Sequence, residues 1–454
     1  MATPIQTPMA MALASSSSNF LSLPRSPAHL SLPPKRPLLH PKPRLSVTSV
    51  ASPDLDPSLP SNVHTFWQWL RQEGVVSSKT HVKPAIFPEG LGLATTKNLA
   101  KNEVVLEVPK RFWINPDAVA DSEIGNVCSG LKPWISVALF LIRENLKDDS
   151  RWRHYLDILP SETDSTVFWS EEELAEIQGT QLLSTTLNVK EYVKSEFLKV
   201  EEEILLRHKD LFPSPITLDD FFWAFGILRS RAFSRLRGQN LVLIPFADLV
   251  FIQYDLKKSN ADLALDYGFI EPTANRNAYT LTLEIPESDL FFDDKLDIAE
   301  TNGLGETAYF DIVLERPFPP AMLPFLRLLA LGGTDAFLLE SLFRNSIWGH
   351  LEMPVSRANE ELVCQVVINA CEAALSGYNT TIEEDEKLKE ENLDSRLRIA
   401  VGIREGEKRV LQQIIQIFKD RELELDQLEY YQERRLKDLG LCGEQGEIIF
   451  WESK

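Results

Sequence analysis

The sequence predicts an α+β body followed by an all-α part, on three observations. A β-rich stretch containing closely spaced glycines runs from about Val82 to Trp113. A helical pattern takes over from about Pro133 to Leu236 and gives way to the short apolar run Leu241-Val242-Leu243-Ile244. After about Pro319 apolar residues recur mostly at helical spacing. With 454 residues the chain is too long for one ordinary domain, and the change of pattern places a boundary near residue 310.

The first fifty residues stand apart. They contain no Asp or Glu, and the first acid is Asp54. They carry the run Ser15-Ser16-Ser17-Ser18, the pair Pro33-Pro34 and only the basic charges Arg25, Lys35, Arg36, Lys42 and Arg44. A Ser-rich, basic, acid-free leader has the composition of an organelle transit peptide. Its prolines work against a continuous amphipathic helix, which favours a plastid over a mitochondrion. Residues 1–50 are therefore expected to be a chloroplast transit peptide, with the fold beginning near residue 60.

The first periodic segment, His64 to Leu70, reads as a short helix. Val104, Leu106 and Val108 alternate with Val105 and Glu107, as in a half-buried strand. Trp134, Ala138, Leu141 and Ile142 recur at helical spacing, and Phe221, Trp223, Phe225, Ile227 and Leu228 make a dense apolar helix. Leu241 to Ile244 reads as a strand stopped by Pro245. Ser259 begins a capping pattern for a short helix that Gly268 closes. Farther on, Val410, Leu411, Ile414, Ile415, Ile417 and Phe418 are expected on one helix face, and Gly440 in the position just past a helix end.

Composition narrows the function. No apolar run approaches the length that spans a bilayer, so no membrane span is expected. The four cysteines, Cys128, Cys364, Cys371 and Cys442, lie far apart with no C-x-x-C pair. That argues against a zinc site or a disulfide framework and suits a reducing compartment. A formal net charge of -20 makes a poor nucleic-acid binder and points to a protein or small-molecule partner, a basic peptide among them.

Taken singly, the motifs stay open. Pro88-Glu89-Gly90-Leu91-Gly92-Leu93 could let backbone approach a ligand closely, or could be a tight strand turn. Arg229, Arg231 and Arg235 could hold a carboxylate, although a solvated basic face suits Arg229 and Arg235 better, and Phe233 could be core. Asp248 follows a strand-like run and could serve a site or merely a turn. Tyr254 and Tyr267 could supply hydroxyls to an apolar slot, or pack as ordinary tyrosines. There is no Gly-x-Ser-x-Gly elbow and no His-Glu-x-x-His pair.

The order of the motifs is more specific than any one of them. Glu-Gly-Leu-Gly-Leu, Ser-Arg-Ala-Phe, Ala-Asp-Leu, Ile-Gln-Tyr-Asp and Asp-Tyr-Gly-Phe follow one another, then the run Leu331 to Phe343 and the run Leu425 to Arg435. From about residue 64 to the end this series resembles the plant SET-domain protein methyltransferases of the Rubisco large-subunit type. The resemblance implies a SET domain over about 60–310 with a helical insert at about 130–235, and a helical substrate-binding domain over 311–454. It implies transfer of a methyl group from S-adenosyl-L-methionine to lysine of Rubisco large subunit, of plastid fructose-bisphosphate aldolase, or of both, in the chloroplast stroma and without a metal. Carried over residue by residue, Glu89, Gly90 and Leu91 would hold the cofactor. Arg231, Phe233 and Asp248 would line the lysine channel, and Tyr254 and Tyr267 would flank the reacting nitrogen.

One departure stands out. In the family the Ala-Asp-Leu motif runs into an Asn-His-Ser segment and several dozen residues with further strands. Here Ala247-Asp248-Leu249 joins through Val250 and Phe251 directly to Ile252-Gln253-Tyr254. The expectation is an internal deletion near 249–252, leaving cofactor binding weak or absent in this chain and a protein-binding role as the alternative to catalysis.

Overall fold

The computed structural model describes residues 55–77, 80–87, 90–233, 241–250, 257–343 and 346–440, so the expected transit segment lies outside the described residues. The chain divides into two compact units. Among the described residues, an N-terminal unit comprises 55–163 and 190–250, and a C-terminal unit comprises 164–189 and 257–440.

The N-terminal unit opens with helix α1 (Ser61–Gln72), which buries Val63, Phe66, Trp67, Trp69 and Leu70 on one face. The Phe66 ring centroid lies 6.3 Å from Tyr155 and 6.4 Å from Phe246, and Trp67 meets Phe246 edge-on at 5.7 Å. Such tilted and edge contacts suit the ring quadrupole better than face-to-face stacking. Strands β1 (Val82–Phe87) and β2 (Gly90–Thr95) pair antiparallel, with Phe87 opposite Gly90. Helix α2 (Pro133–Asn145) packs on a later helix through Trp134, whose ring sits 5.4 Å from both Phe221 and Phe225.

Two expected strands of this unit are not realised as strands. Residues Val104 to Val108 form no ladder, and among the described residues their one backbone–backbone bond is the His81 N–H donating to the Val105 carbonyl at 3.0 Å. Among the described residues, the run Leu241 to Ile244 makes isolated bridges only, Leu243 with Ile114 and Val242 with Phe233. Alternation in sequence assigns faces, but a strand exists only when a neighbour takes its backbone groups.

Helix α3 (Gln181–Val200) begins in the 164–189 stretch of the C-terminal unit and runs on into residues 190–200, and helix α4 (Leu218–Arg231) follows in the N-terminal unit. In the C-terminal unit, helix α5 (Asn260–Tyr267) has the ends that its sequence predicts. Ser259 and Asp262 cap each other's backbone, and Gly268 closes the helix at φ 76°. Strands β3 (Ala278–Glu284) and β4 (Thr307–Val313) pair antiparallel, setting Tyr279, Leu281 and Leu283 opposite Ile312, Phe310 and Ala308. All six are buried. They join Phe325, Val367, Leu411 and Phe418 in one apolar core built with helices α6 (Arg357–Leu375) and α8 (Ser395–Leu423). Helix α7 (Ile382–Lys389) packs on α8, and helix α9 (Tyr431–Asp438) ends just before Gly440 at φ 68°.

Helix α8 departs from its expected stripe at one residue. Val410, Leu411, Ile414, Ile415 and Phe418 are buried, whereas Ile417 is 40% exposed. Spacing of three and four residues holds the first five together and leaves Ile417 on the outer side. The same helix carries buried charge: Arg404 bonds Asp385 at 2.6 Å and Glu176 at 2.7 Å, and Lys408 reaches Asp385 at 2.7 Å. Its Gly402 admits no side chain, because a Cβ there would lie 2.2 Å from Ile270 Cδ1.

Cys128, Cys364 and Cys371 are buried free thiols, and Cys442 lies outside the described residues. Among the described residues no three His, Cys, Asp or Glu side chains gather as a metal site. Nor is any single described helix long and apolar enough to cross a membrane.

Candidate active site

The site grows from the C-terminal end of α4. That helix starts at a reciprocal cap, with the Thr217 N–H donating to Asp220 at 2.8 Å and the Asp220 N–H donating to the Thr217 hydroxyl at 3.1 Å. It stops at Arg231 because Ala232 turns extended. Phe233 then exchanges two backbone bonds with Val242, at 2.8 and 3.2 Å, and rests half-buried against Trp113, Val242 and Ile244.

Beyond Ile244 the chain reverses at Phe246, whose φ of 74° is left-handed. For a bulky residue that conformation is uncommon. Burial of the whole ring among α1 aromatics holds it there. The turn leads straight into one 3-10 turn, Ala247–Leu249, which sets Asp248 beside Arg231.

The Asp248 carboxylate is fully buried. Its Oδ2 accepts from the Tyr155 hydroxyl at 2.8 Å and from Arg231 Nη1 at 3.2 Å, while the buried Oδ1 has no partner. Burial pushes the Asp248 carboxyl above the usual range, against the opposing pull of Arg231 and the Tyr155 hydroxyl. Burial, and then the Asp248 charge, push the Tyr155 phenol well up, so it keeps its proton and donates. An ion pair held away from water with an acceptor still open is a stiff, polar point in an otherwise apolar wall.

Strand β2, which begins with Gly90 and Leu91, lies beside the Ala247–Leu249 turn that carries Asp248. Gly90 is exposed at φ 116°, and a Cβ placed on it would meet nothing within 4 Å. Leu91 pairs with Ile86 and is half-buried. Thus Arg231 and Asp248 touch, Phe233 follows within two residues, and Gly90 and Leu91 sit on a neighbouring strand. Glu89 and Tyr254 lie outside the described residues. Tyr267 belongs to the C-terminal unit, half-buried at the end of α5. Its ring lies 6.1 Å from Phe269, with the Lys258 ammonium 5.0 Å above it and paired to Asp266.

Tyr155 is the residue that sequence reasoning misses. It sits 93 positions from Asp248 in the chain, and no local pattern links the two. A buried tyrosine must find a hydroxyl partner, which is the sole signal its neighbourhood offers.

Known proteins give the arrangement its context. A family model described as Rubisco LSMT substrate-binding matches residues 286–411. The chain is 67% identical to a ribulose-1,5 bisphosphate carboxylase/oxygenase large subunit N-methyltransferase, chloroplastic, of Nicotiana tabacum over 451 aligned positions, covering 90% of this chain and 92% of that one. It is 61% identical to a fructose-bisphosphate aldolase-lysine N-methyltransferase, chloroplastic, of Arabidopsis thaliana over 484 positions, covering 96% of this chain and 98% of that one. Among solved structures, the SET domain of LSMT bound to lysine and AdoHcy superposes with a TM-score of 0.82 at 66% identity, covering 85% of this chain and 98% of that chain. Rubisco LSMT bound to AdoMet gives 0.81 at the same identity and coverage.

Proposed function

The chain belongs to the chloroplastic Rubisco large-subunit and aldolase lysine N-methyltransferases, and from that premise we infer that it moves a methyl group from S-adenosylmethionine to lysine of Rubisco large subunit, fructose-bisphosphate aldolase, or both. Identity of 61–67% over nine-tenths or more of the chain carries this reading. The reading extends to the stroma as the place of action, to residues 1–50 as the transit peptide, and to a SET domain over about 60–310 before a helical substrate-binding domain over 311–454.

Open space beside the Gly90 backbone suits close approach of the methyl donor, and Asp248, with Arg231 and Phe233, is assigned to the lysine channel. We assign Gly90 and Leu91, with Glu89, to holding the donor by its polar edges. S-adenosylmethionine, when bound, supplies a sulfonium methyl group that a neutral amine can take. The chain's own residues then position and dry the target. A lysine with an ordinary pKa of about 10.4 must lose its proton first, and an apolar channel disfavours the ammonium. Phe233 gives that channel an aromatic wall that also tolerates a methylated ammonium. Arg231, locked to Asp248, fixes one side of it. Tyr254 and Tyr267 are assigned to aim the amine's lone pair, which is worth more in rate than any general base here because the displacement depends on alignment.

A second reading has an observation of its own. The alignment to the aldolase methyltransferase runs 484 positions against 454 residues of this chain, so at least 30 positions, the difference, face no residue here. A chain short by such a segment would act as a catalytically impaired protein-binding module. Isotope-labelled donor incubated with Rubisco and aldolase decides between the two. Label on lysine of either protein supports the enzyme, and label only after the relatives' additional segment is inserted supports the impaired form. Absence of label in both cases overturns the methyltransferase reading.

A further inference from the structure

The N-terminal unit holds a cavity that methyl transfer leaves unused. Its volume is about 510 Å³, within the roughly 300–1,000 Å³ of small-molecule sites. Gly90, Leu91, Arg231, Phe233 and Asp248 are not among the residues that line it. Buried Trp113, Phe140 and Trp152 do, and Phe140 meets Trp152 edge-on at 5.3 Å. Both indole N–H groups are engaged, Trp113 with the Val108 carbonyl at 3.2 Å and Trp152 with the Phe112 carbonyl at 3.0 Å.

Exposed cations gather on these rings. The Lys110 ammonium lies 5.9 Å from the centre of the Trp113 ring, and the Arg151 guanidinium 5.3 Å from that of Trp152. Arg151 and Arg111 also share the Phe112 ring, at 5.7 and 4.5 Å. Ring faces attract cations, so the aromatic lining holds the positive groups at the cavity. Two further cations there are neutralised, Arg143 by Glu123 and Lys147 by Glu144 at 3.2 Å, and Arg111 has the Glu73 carboxylate 3.5 Å away. Among the described residues, Lys110 and Arg151 form no ion pair. With 67 acids to 47 bases in the chain, partners are not scarce, so like charges left together point to an anionic ligand.

Carboxylates restrict what that ligand is. Buried Asn115 caps the short helix Pro116–Ala120 by accepting from the Ala118 N–H at 2.9 Å, and exposed Asp117 and Asp121 from this segment line the same cavity. A ligand negative along its whole length, such as an acidic peptide, meets repulsion there. A ligand with one anionic group and several hydroxyls satisfies both sets, because carboxylates accept from hydroxyls while guanidinium and ammonium groups donate to phosphate.

We propose that this cavity binds a phosphorylated polyhydroxy compound, with Lys110, Arg111 and Arg151 on the phosphate and Asp117 and Asp121 on the hydroxyls. The site stands whether or not the chain transfers methyl groups. Calorimetric titration of the full chain with fructose 1,6-bisphosphate, inorganic phosphate and fructose tests it. The bisphosphate should bind at one site per chain, about tenfold or more tighter than phosphate, and fructose should not bind measurably. Lys110→Ala and Arg151→Ala should each weaken the bisphosphate by about tenfold or more and leave the melting temperature unchanged, since both side chains are exposed. Asp121→Ala should weaken the bisphosphate but tighten inorganic phosphate, as a like charge leaves the cavity. The proposal is overturned if the bisphosphate does not bind, if its affinity survives both cation variants, or if phosphate binds equally well. A glutamate-rich peptide that binds more tightly than the bisphosphate and displaces it also overturns the proposal, and gives the cavity to a protein partner instead.

Discussion

At the scale of single residues, Asp248 is a buried carboxylate of the N-terminal unit with unequal oxygens. One oxygen has two donors, and the other has none. A buried carboxylate in that state depends on each donor it has, because losing one leaves desolvation uncompensated. Tyr155→Phe removes only the hydroxyl and keeps the ring against Phe66. It should lower stability by about 1–3 kcal/mol, read as a lower urea midpoint with an unchanged slope. If the midpoint does not move, the hydroxyl contributes nothing and Arg231 alone holds Asp248. None of this could be read from the sequence. Asp248 stands out there only as an acid after an apolar run, and Tyr155 as one aromatic among several. What joins them is a backbone reversal at a left-handed phenylalanine, a conformation that no residue preference would suggest.

At the scale of elements, legibility follows how local the determinants are. Helix α5 is set by Ser259, Asp262 and Gly268 within ten positions, and it forms with those ends. Gly440 closes α9 for the same reason. Strands near 104–108 and 241–244 depend on distant partners, and their alternation alone did not make a ladder. The α5 terminus also shows two separate demands on one glycine. Gly268 is left-handed, and a Cβ on it would fall 2.4 Å from the backbone of Asp164 and Ser165. Gly303 is equally left-handed, at φ 77°, but has open space around it. Gly303→Ala should therefore cost only the conformational penalty of about 1–2 kcal/mol. Gly268→Ala must add displacement of a backbone segment, and should lower the melting temperature by at least twice as much. Equal losses would mean that the 164–165 segment yields freely.

At the scale of the whole molecule, the sequence shows an α+β part before a helical one, but not that segments far apart close on each other inside the C-terminal unit. Residues 164–189 belong to that unit although they precede it by many positions, and Glu407 on α8 is one place where they are tied in. Its Oε2 accepts from the Gln181 N–H at 3.0 Å and from the Tyr378 hydroxyl at 2.7 Å, so three stretches of chain meet at one carboxyl. Burial raises that carboxyl from 4.5 to about 7, and its hydrogen bonds, from Tyr378 first and then the backbone at Gln181 and Leu182, only partly offset it. A carboxyl that holds its proton more tightly when folded stabilises fully below about pH 4.5, and that contribution fades as pH climbs through about 7. Near pH 8 the folded unit therefore carries a buried charge whose cost is on the order of 3 kcal/mol. Glu407→Gln keeps an oxygen for both donors and has no proton to lose. Its melting temperature should match the parent's near pH 5 and exceed it by a widening margin toward pH 8. Groups common to both proteins cancel in that difference, so a margin that stays flat across the range would show that Glu407 does not titrate there, and that the clamp between Gln181, Tyr378 and α8 is indifferent to its charge.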